Sequence, residues 1–310
     1  MWSQVTTVET PAEPTGKGLN LRNRYTAVRD LTEQLASPLS FEDQCVQSMP
    51  DVSPTKWHRA HVTWFFETFL LRPHQPGYAP VHERYGYLFN SYYEAVGPRH
   101  PRPERGMIVR PDNAQITEYR RRVDEAMIAF IDSAAAQRPD LIELIELGLQ
   151  HEQQHQELLL MDIKHVLSLN DFAPAYRDRT AEHHGLPAPQ GWIEHPGGIV
   201  EIGHIDPGFG SFHFDNEGPR HSVLLQPHRL ADRLVTNGEW SEFMADGGYG
   251  RSELWLSDGW RTINQEGWEA PLYWRPGPDG WENHTLNGVH PVDPGEPVVH
   301  VSYYEADAFA

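Results

Sequence analysis

The 310-residue chain carries 25 basic against 44 acidic residues, a formal net charge of −19 at neutral pH. That balance excludes sequence-independent attraction to nucleic acid, and an anionic substrate would need a local basic patch. Hydrophobic residues make up 39% of the chain, enough for a core, and the length suits about two domains of roughly 100–200 residues each.

In chain order, "MWSQVTTVETPAEPTGKG" lacks the basic-then-apolar order of a secretion signal and reads as a disordered polar arm over 1–17. Leu21, Tyr25, Val28, Leu31 and Leu35 recur at helical spacing and predict a first helix over 19–35. Cys45 is the sole cysteine, so no intrachain disulfide exists and a cytoplasmic, reducing setting is expected. Ser53-Pro54 reads as a cap followed by a first-turn proline, opening a second helix over 53–71. Its apolar residues surround the helix almost completely, which predicts deep burial.

Residues 72–112 form a long insertion that contains "YGYLFNSYYEAVGPRHPRPERG". A loop of that length is usually functional or disordered, and its aromatic density argues for the former. Helical patterning resumes over 113–137, closed by Pro139, and again over 139–169. Four amphipathic helices predict an antiparallel bundle over 18–172, followed by a linker over 173–190. From 191 to 310 the texture becomes short alternating stretches with Gly and Trp, and seven of the ten tryptophans fall there. "GGIVEIGH", "HSVLLQPHRLADRLV" and "PVVHVSYY" read as strands or strand-loop pieces of an irregular, aromatic-packed domain. The fold class expected is therefore α+β. No apolar run is long enough to span a membrane.

"HEQQHQELLL" begins at His151 and spells H-E-x-x-H, the pattern of zinc peptidases. On a helix His151 and His155 project from one face, on a stripe with Leu144, Gly148, Leu158 and Asp162. Hydrogen-bonded core histidines are the plain alternative, since buried polar groups need partners. The second helix adds His58 and His61, either of which could face inward; periodicity does not choose between them. Three histidines from two helices shift the balance toward a metal. The downstream "QELLLMDIKH" lacks the glycine and histidine of an extended zinc-peptidase motif, and Glu152 lies beside the ligand face rather than on it.

Taken together, "SPTKWHRAHVTWFFETFLL", "FNSYYEAVGPRHPRPERG" and "HEQQHQELLLMDIKH" resemble the iron-dependent sulfoxide synthases of ergothioneine biosynthesis. "GGIVEIGH", "DNEGPRHSVLL" and "LVTNGEWSEFMADGGY" resemble the formylglycine-generating-enzyme-like, C-type-lectin-like domain that follows the helical part in that family. The resemblance implies a DinB-like four-helix bundle and a non-haem Fe(II) site with ligands His61, His151 and His155. It casts Glu157 as a support, Gln154 as a contact to the histidine-derived substrate, and Tyr92 and Tyr93 as a tyrosine pair near the iron. Ordinary aromatic packing is the alternative for the two tyrosines.

The implied reaction consumes O2 and joins C2 of the imidazole of hercynine to the sulfur of γ-glutamylcysteine or cysteine, giving a sulfoxide. Arg99, Arg102 and Arg105 could bind a substrate carboxylate or form a solvated basic run. The family's second domain continues beyond a segment like "PVVHVSYYEADAFA", so the resemblance implies a C-terminally truncated chain with an incomplete lectin-like domain and substrate pocket. A 5-histidylcysteine sulfoxide synthase, a formylglycine-generating activity and a non-catalytic metal-binding, lectin-like module are the competing readings.

Overall fold

The computed structural model describes residues 17–133, 136, 138–178, 185, 187–205 and 212–310. Positions 1–16 of the expected arm and positions 179–184 and 186 of the expected linker lie outside the described residues, while Lys17, expected in the arm, opens the first helix. The described residues fall into two compact units, the first ending at Val166 and the second beginning at Leu167.

The first unit is helical. Its long helices are α1 (Lys17–Ala36), α2 (Thr55–Phe66), α5 (Asn113–Ile131) and α6 (Pro139–Ser168), the last reaching just past the boundary; short turns α3 (Arg72–His74) and α4 (Tyr85–Leu88) sit in the insertion. Helix α2 is central: every residue from Thr55 to Phe66 is buried. Trp57, Trp64, Phe65 and Phe66 pack there with Tyr25, Tyr119, Met127, Ile145 and Leu149. The cost of burying its cations is met by partners. Lys56 Nζ donates to the Ile108 carbonyl at 2.7 Å, and Arg59 pairs with Glu33 at 2.6 Å.

Two details differ from the sequence reading. Pro54 itself is the α2 cap residue and offers no side-chain bond, while the Ser53 amide donates to Asp162 Oδ2 at 2.8 Å. Helix α5 opens on an Asp112–Gln115 capping box as a helix start should, but stops at Ile131 rather than running to 137. The end of α2 loosens into a wider turn over Glu67–Leu71 before Pro73. There the buried Glu67 carboxylate accepts from Tyr119 and Tyr78 hydroxyls at 2.7 and 2.9 Å and from the Val81 amide at 2.8 Å, tying the insertion to the bundle.

The second unit contains small antiparallel sheets. Strand β1 (Trp192–His195) pairs with β4 (His228–Ala231), β2 (Gly198–Ile202) with β3 (His221–Leu225), and β5 (Trp274–Gly277), β6 (Gly280–Thr285) and β7 (Gly288–Pro291) form a meander. Helices α7 (Asn237–Ala245), α8 (Ser257–Glu266) and α9 (Tyr303–Phe309) accompany them, and Trp240 stacks on Phe309 at 5.0 Å. The segment "PVVHVSYY" does not form a strand. Apart from an isolated bridge from Pro297 to Thr236 it is irregular, and its last residues open α9 through a Ser302–Glu305 capping box. Among the described residues no helix is long and apolar enough to cross a membrane.

Candidate metal centre

Helices α2 and α6 bring His61, His151 and His155 together, with one ligand-type nitrogen from each lying within 4.8 Å of the others. His61 Nε2 and His151 Nε2 are 3.2 Å apart. The close helix contact depends on Gly148, one turn before His151. A Cβ there would lie 2.6 Å from the Phe66 ring and 2.9 Å from that of Phe65. His61 is stacked between Trp57 and Trp64, with centroids at 4.5 and 5.5 Å, and Phe65 lies 5.0 Å from His151.

Burial, reinforced by the neighbouring imidazoles, drives His61 and His155 well below the ordinary histidine range, and burial pushes His151 down to about 4. All three are therefore neutral at pH 7, and each carries a lone pair. His61 Nδ1 donates to the Phe89 carbonyl at 2.6 Å, which leaves its Nε2 bare. His151 Nδ1 is buried with no hydrogen-bond partner. Neutral nitrogens converging this closely, one ring still under-satisfied, suit a divalent transition metal, which these three residues would hold.

His58 is not on the cluster but behind it. Its Nδ1 lies 2.8 Å from His155 Nδ1 and its Nε2 lies 2.9 Å from Asp162 Oδ2. The sequence left His58 and His61 as alternatives; the fold uses both, in different places. Their i,i+3 spacing, which puts both on one side of a helix, was the available signal. Glu157 is exposed, and the contacts behind the imidazoles come from His58, Asp162 and Phe89 instead. Leu158, expected on the inward stripe, is also exposed.

Glu152 is fully buried and points elsewhere. It accepts from Arg29 at 2.8 Å, Thr32 at 2.7 Å and Arg120 at 3.2 Å. These cations hold its carboxyl below the usual range against the opposing effect of burial. A carboxylate so occupied is a clamp between α6, α1 and α5, not a peptidase base.

The tyrosine pair splits. Tyr93 packs against Phe69, Trp64 and Phe65 at 5.1, 5.6 and 6.4 Å, the last two of which touch His61 and His151, and burial raises its phenol above the ordinary value. Tyr92 is exposed and hydrogen-bonded by Arg102, with Arg99 over its ring. Gln154 is exposed on α6 next to His155.

Of the three loop arginines only Arg105 is buried. Its guanidinium lies 3.4 Å from the Trp57 ring centroid, on the indole that stacks on His61. Ser53 and Ser91 hydroxyls accept from it at 2.9 Å each, its Nε has no partner, and no carboxylate pairs with it among the described residues. Burial, with Arg102 nearby, lowers it to about 10. Composition could not separate this residue from a solvated run; only the fold does.

Residues 24–159 match the DinB superfamily and residues 181–310 match the sulfatase-modifying factor enzyme 1-like domain. The chain is 32% identical over 278 residues to the hercynine oxygenase of Mycobacterium tuberculosis, covering 88% of this chain and 61% of that relative. It is 32% identical to the hercynine oxygenase of Mycolicibacterium thermoresistibile, covering 84% and 55%, and 30% identical to that of Mycolicibacterium smegmatis, covering 85% and 58%. Over most of its own length the chain is thus similar to hercynine oxygenases. It spans somewhat over half the length of these relatives, and both matched regions lie within it in the order the sequence suggested.

Proposed function

We propose that this protein is a hercynine oxygenase of ergothioneine biosynthesis, an iron(II)- and O2-dependent oxidoreductase. It would join C2 of the hercynine imidazole to the sulfur of γ-glutamylcysteine or cysteine as a sulfoxide. The observation that carries this reading is the cluster of His61, His151 and His155, neutral and converging from two helices. An Fe(II) ion held by these residues would supply thiolate coordination and O2 activation. Three neutral donors leave a divalent cation its full charge, which favours an anionic sulfur; a carboxylate in the set would have cancelled part of it.

The remaining assignments concern this chain's own groups. Arg105, a buried cation facing only neutral acceptors beside the cluster, suits a substrate carboxylate, whose charge would complete the pairing its surroundings lack. Tyr93, protonated and bordering the cluster's aromatic wall, is the better placed of the pair to donate a hydrogen bond or proton; Tyr92 would act on the rim with Arg102. Gln154 is assigned to the hercynine imidazole as the exposed neighbour of His155. The free Cys45 fits a reducing compartment, and we place the protein in the cytoplasm.

The test is anaerobic loading with Fe(II), followed by O2 with hercynine and each thiol, and product mass spectrometry. Hercynine-dependent formation of the C–S product with one thiol is the expected result. Exclusive use of unmethylated histidine would redirect the assignment to 5-histidylcysteine sulfoxide synthesis. Failure to bind a stoichiometric metal would overturn it.

A further inference from the structure

We infer that His58 and Asp162 are positioning residues that fix the tautomer of His155, so that its Nε2 is the nitrogen presented to the cluster. The inference rests on the metal-site reading above for its purpose, but its physical content concerns protons on rings and is independent of any metal. Asp162 Oδ2 lies 2.9 Å from His58 Nε2 and also accepts the Ser53 amide at 2.8 Å, so the carboxylate is held at the mouth of α2. A carboxylate only accepts, so His58 Nε2 carries the proton and donates.

His58 Nδ1 and His155 Nδ1 face each other at 2.8 Å, so one of them donates, and the arrangement that adds no charge to His58 puts the proton on His155 Nδ1. With its proton on Nδ1, His155 has a bare Nε2. The order of donation, His155 to His58 to Asp162, runs outward from the cluster. If His58 were replaced by a group that cannot accept, nothing would prefer one His155 tautomer over the other.

A second ligand is fixed by the same logic with a different acceptor, since the Phe89 carbonyl takes the His61 Nδ1 proton at 2.6 Å. His151 Nδ1 has no such partner. Two of the three imidazoles are thus preset and the third is free to adapt, which makes His58 and Asp162 the side chains whose removal should be felt at the cluster although neither belongs to it. Carboxylate or carbonyl partners behind metal-bound histidines raise affinity by about 10–100-fold in general.

The decisive measurement is two-bond 1H–15N correlation NMR on the metal-free full chain with ring-labelled histidine. His155 should be protonated at Nδ1 and bare at Nε2, and His58 the reverse. In His58→Leu the His155 preference should collapse to a mixture. His58→Gln should restore it, because a glutamine amide can donate to Asp162 while its carbonyl accepts from His155. Metal titration of the same proteins should give a loss of about 10–100-fold in His58→Leu and recovery to within several-fold in His58→Gln.

Should His58→Leu fail to fold, Asp162→Ala carries the test, with a mixed His58 tautomer and a smaller affinity loss. A wild-type His155 protonated at Nε2, or tautomers unchanged in the variants, overturns the inference, as does equal metal affinity of the Leu and Gln variants. If the wild type binds no metal while the tautomers are as stated, the metal reading falls and the positioning relay stands.

Discussion

The two units meet the problem of buried polarity in opposite ways. The helical unit buries a charge network and, Arg105 apart, pairs its arginines: Arg29, Arg120 and Glu152 are all sequestered, and each finds a counter-charge. The second unit, among the described residues, buries one carboxylate, Glu305, which accepts from the Tyr249 hydroxyl at 2.6 Å, and it leaves apolar strand residues at the surface. Ile199 and Leu224 face each other across β2 and β3, yet are 76% and 68% exposed. The contrast teaches where precision is spent. A buried network specifies one geometry because every alternative leaves a charge unpaired, and the histidine cluster is set into that geometry. Exposed two-stranded ladders constrain far less.

The largest effects should follow from cutting the helical unit where its polar groups converge. His151→Ala should abolish stoichiometric Fe(II) or Co(II) binding, read by titration and visible spectra, while far-UV circular dichroism stays that of the wild type. Retention of a full metal equivalent would dissolve the special status given to the cluster. Next comes Glu152→Ala, which removes the carboxylate shared by Arg29 and Arg120 and leaves them only Asp124 and Glu33. Breaking a buried pair costs about 3–5 kcal/mol, to be measured by denaturant unfolding of the whole chain. Phe66→Ala, a fully buried ring against Tyr25 and Gly148, should cost about 3–5 kcal/mol as a cavity. Ile199→Ser in the second unit should stay within about 0.5 kcal/mol. If the serine proved as costly as the alanine, the supposed asymmetry between the units would be wrong.

That asymmetry also explains what the sequence could convey. Long helices with an apolar face write their period over many residues, so 19–35, 53–71 and 139–169 were readable nearly to their ends. His151 and His155 were readable as a pair because i,i+4 spacing is itself geometry. Glu152 could be placed off the ligand face, but not onto Arg29 and Arg120, since those contacts cross 123 and 32 positions of sequence. Helix α2 hid its choice between His58 and His61 because it is buried on all sides, so that no periodicity distinguishes inside from outside. In the second unit, β1 to β4 are strands of four or five largely exposed residues, too short and too open to carry a clear alternation. "PVVHVSYY" had strand composition and still became a helix start, because Ser302 and Glu305 form a cap that β-branched neighbours do not outweigh.

The smallest expected effect concerns acid. Hydrogen bonds from Arg233 and Thr236 hold the Glu239 carboxyl at about 2, below its ordinary 4.5, with Arg233 contributing most. A folded value below the unfolded one means that the contribution to stability is complete above about 4.5 and is lost as pH falls toward 2. The pair is partly solvated, so its worth is at most about 1 kcal/mol. Glu239→Gln should therefore unfold slightly more easily than wild type at pH 6, by a gap that narrows from about pH 4.5 downward and closes near the folded value. Denaturant midpoints across that range read the gap directly. One that stayed constant down to pH 2.5 would mean that the glutamate acts through its uncharged cap to the Thr236 amide, leaving the second unit with no electrostatic counterpart to the network of the first.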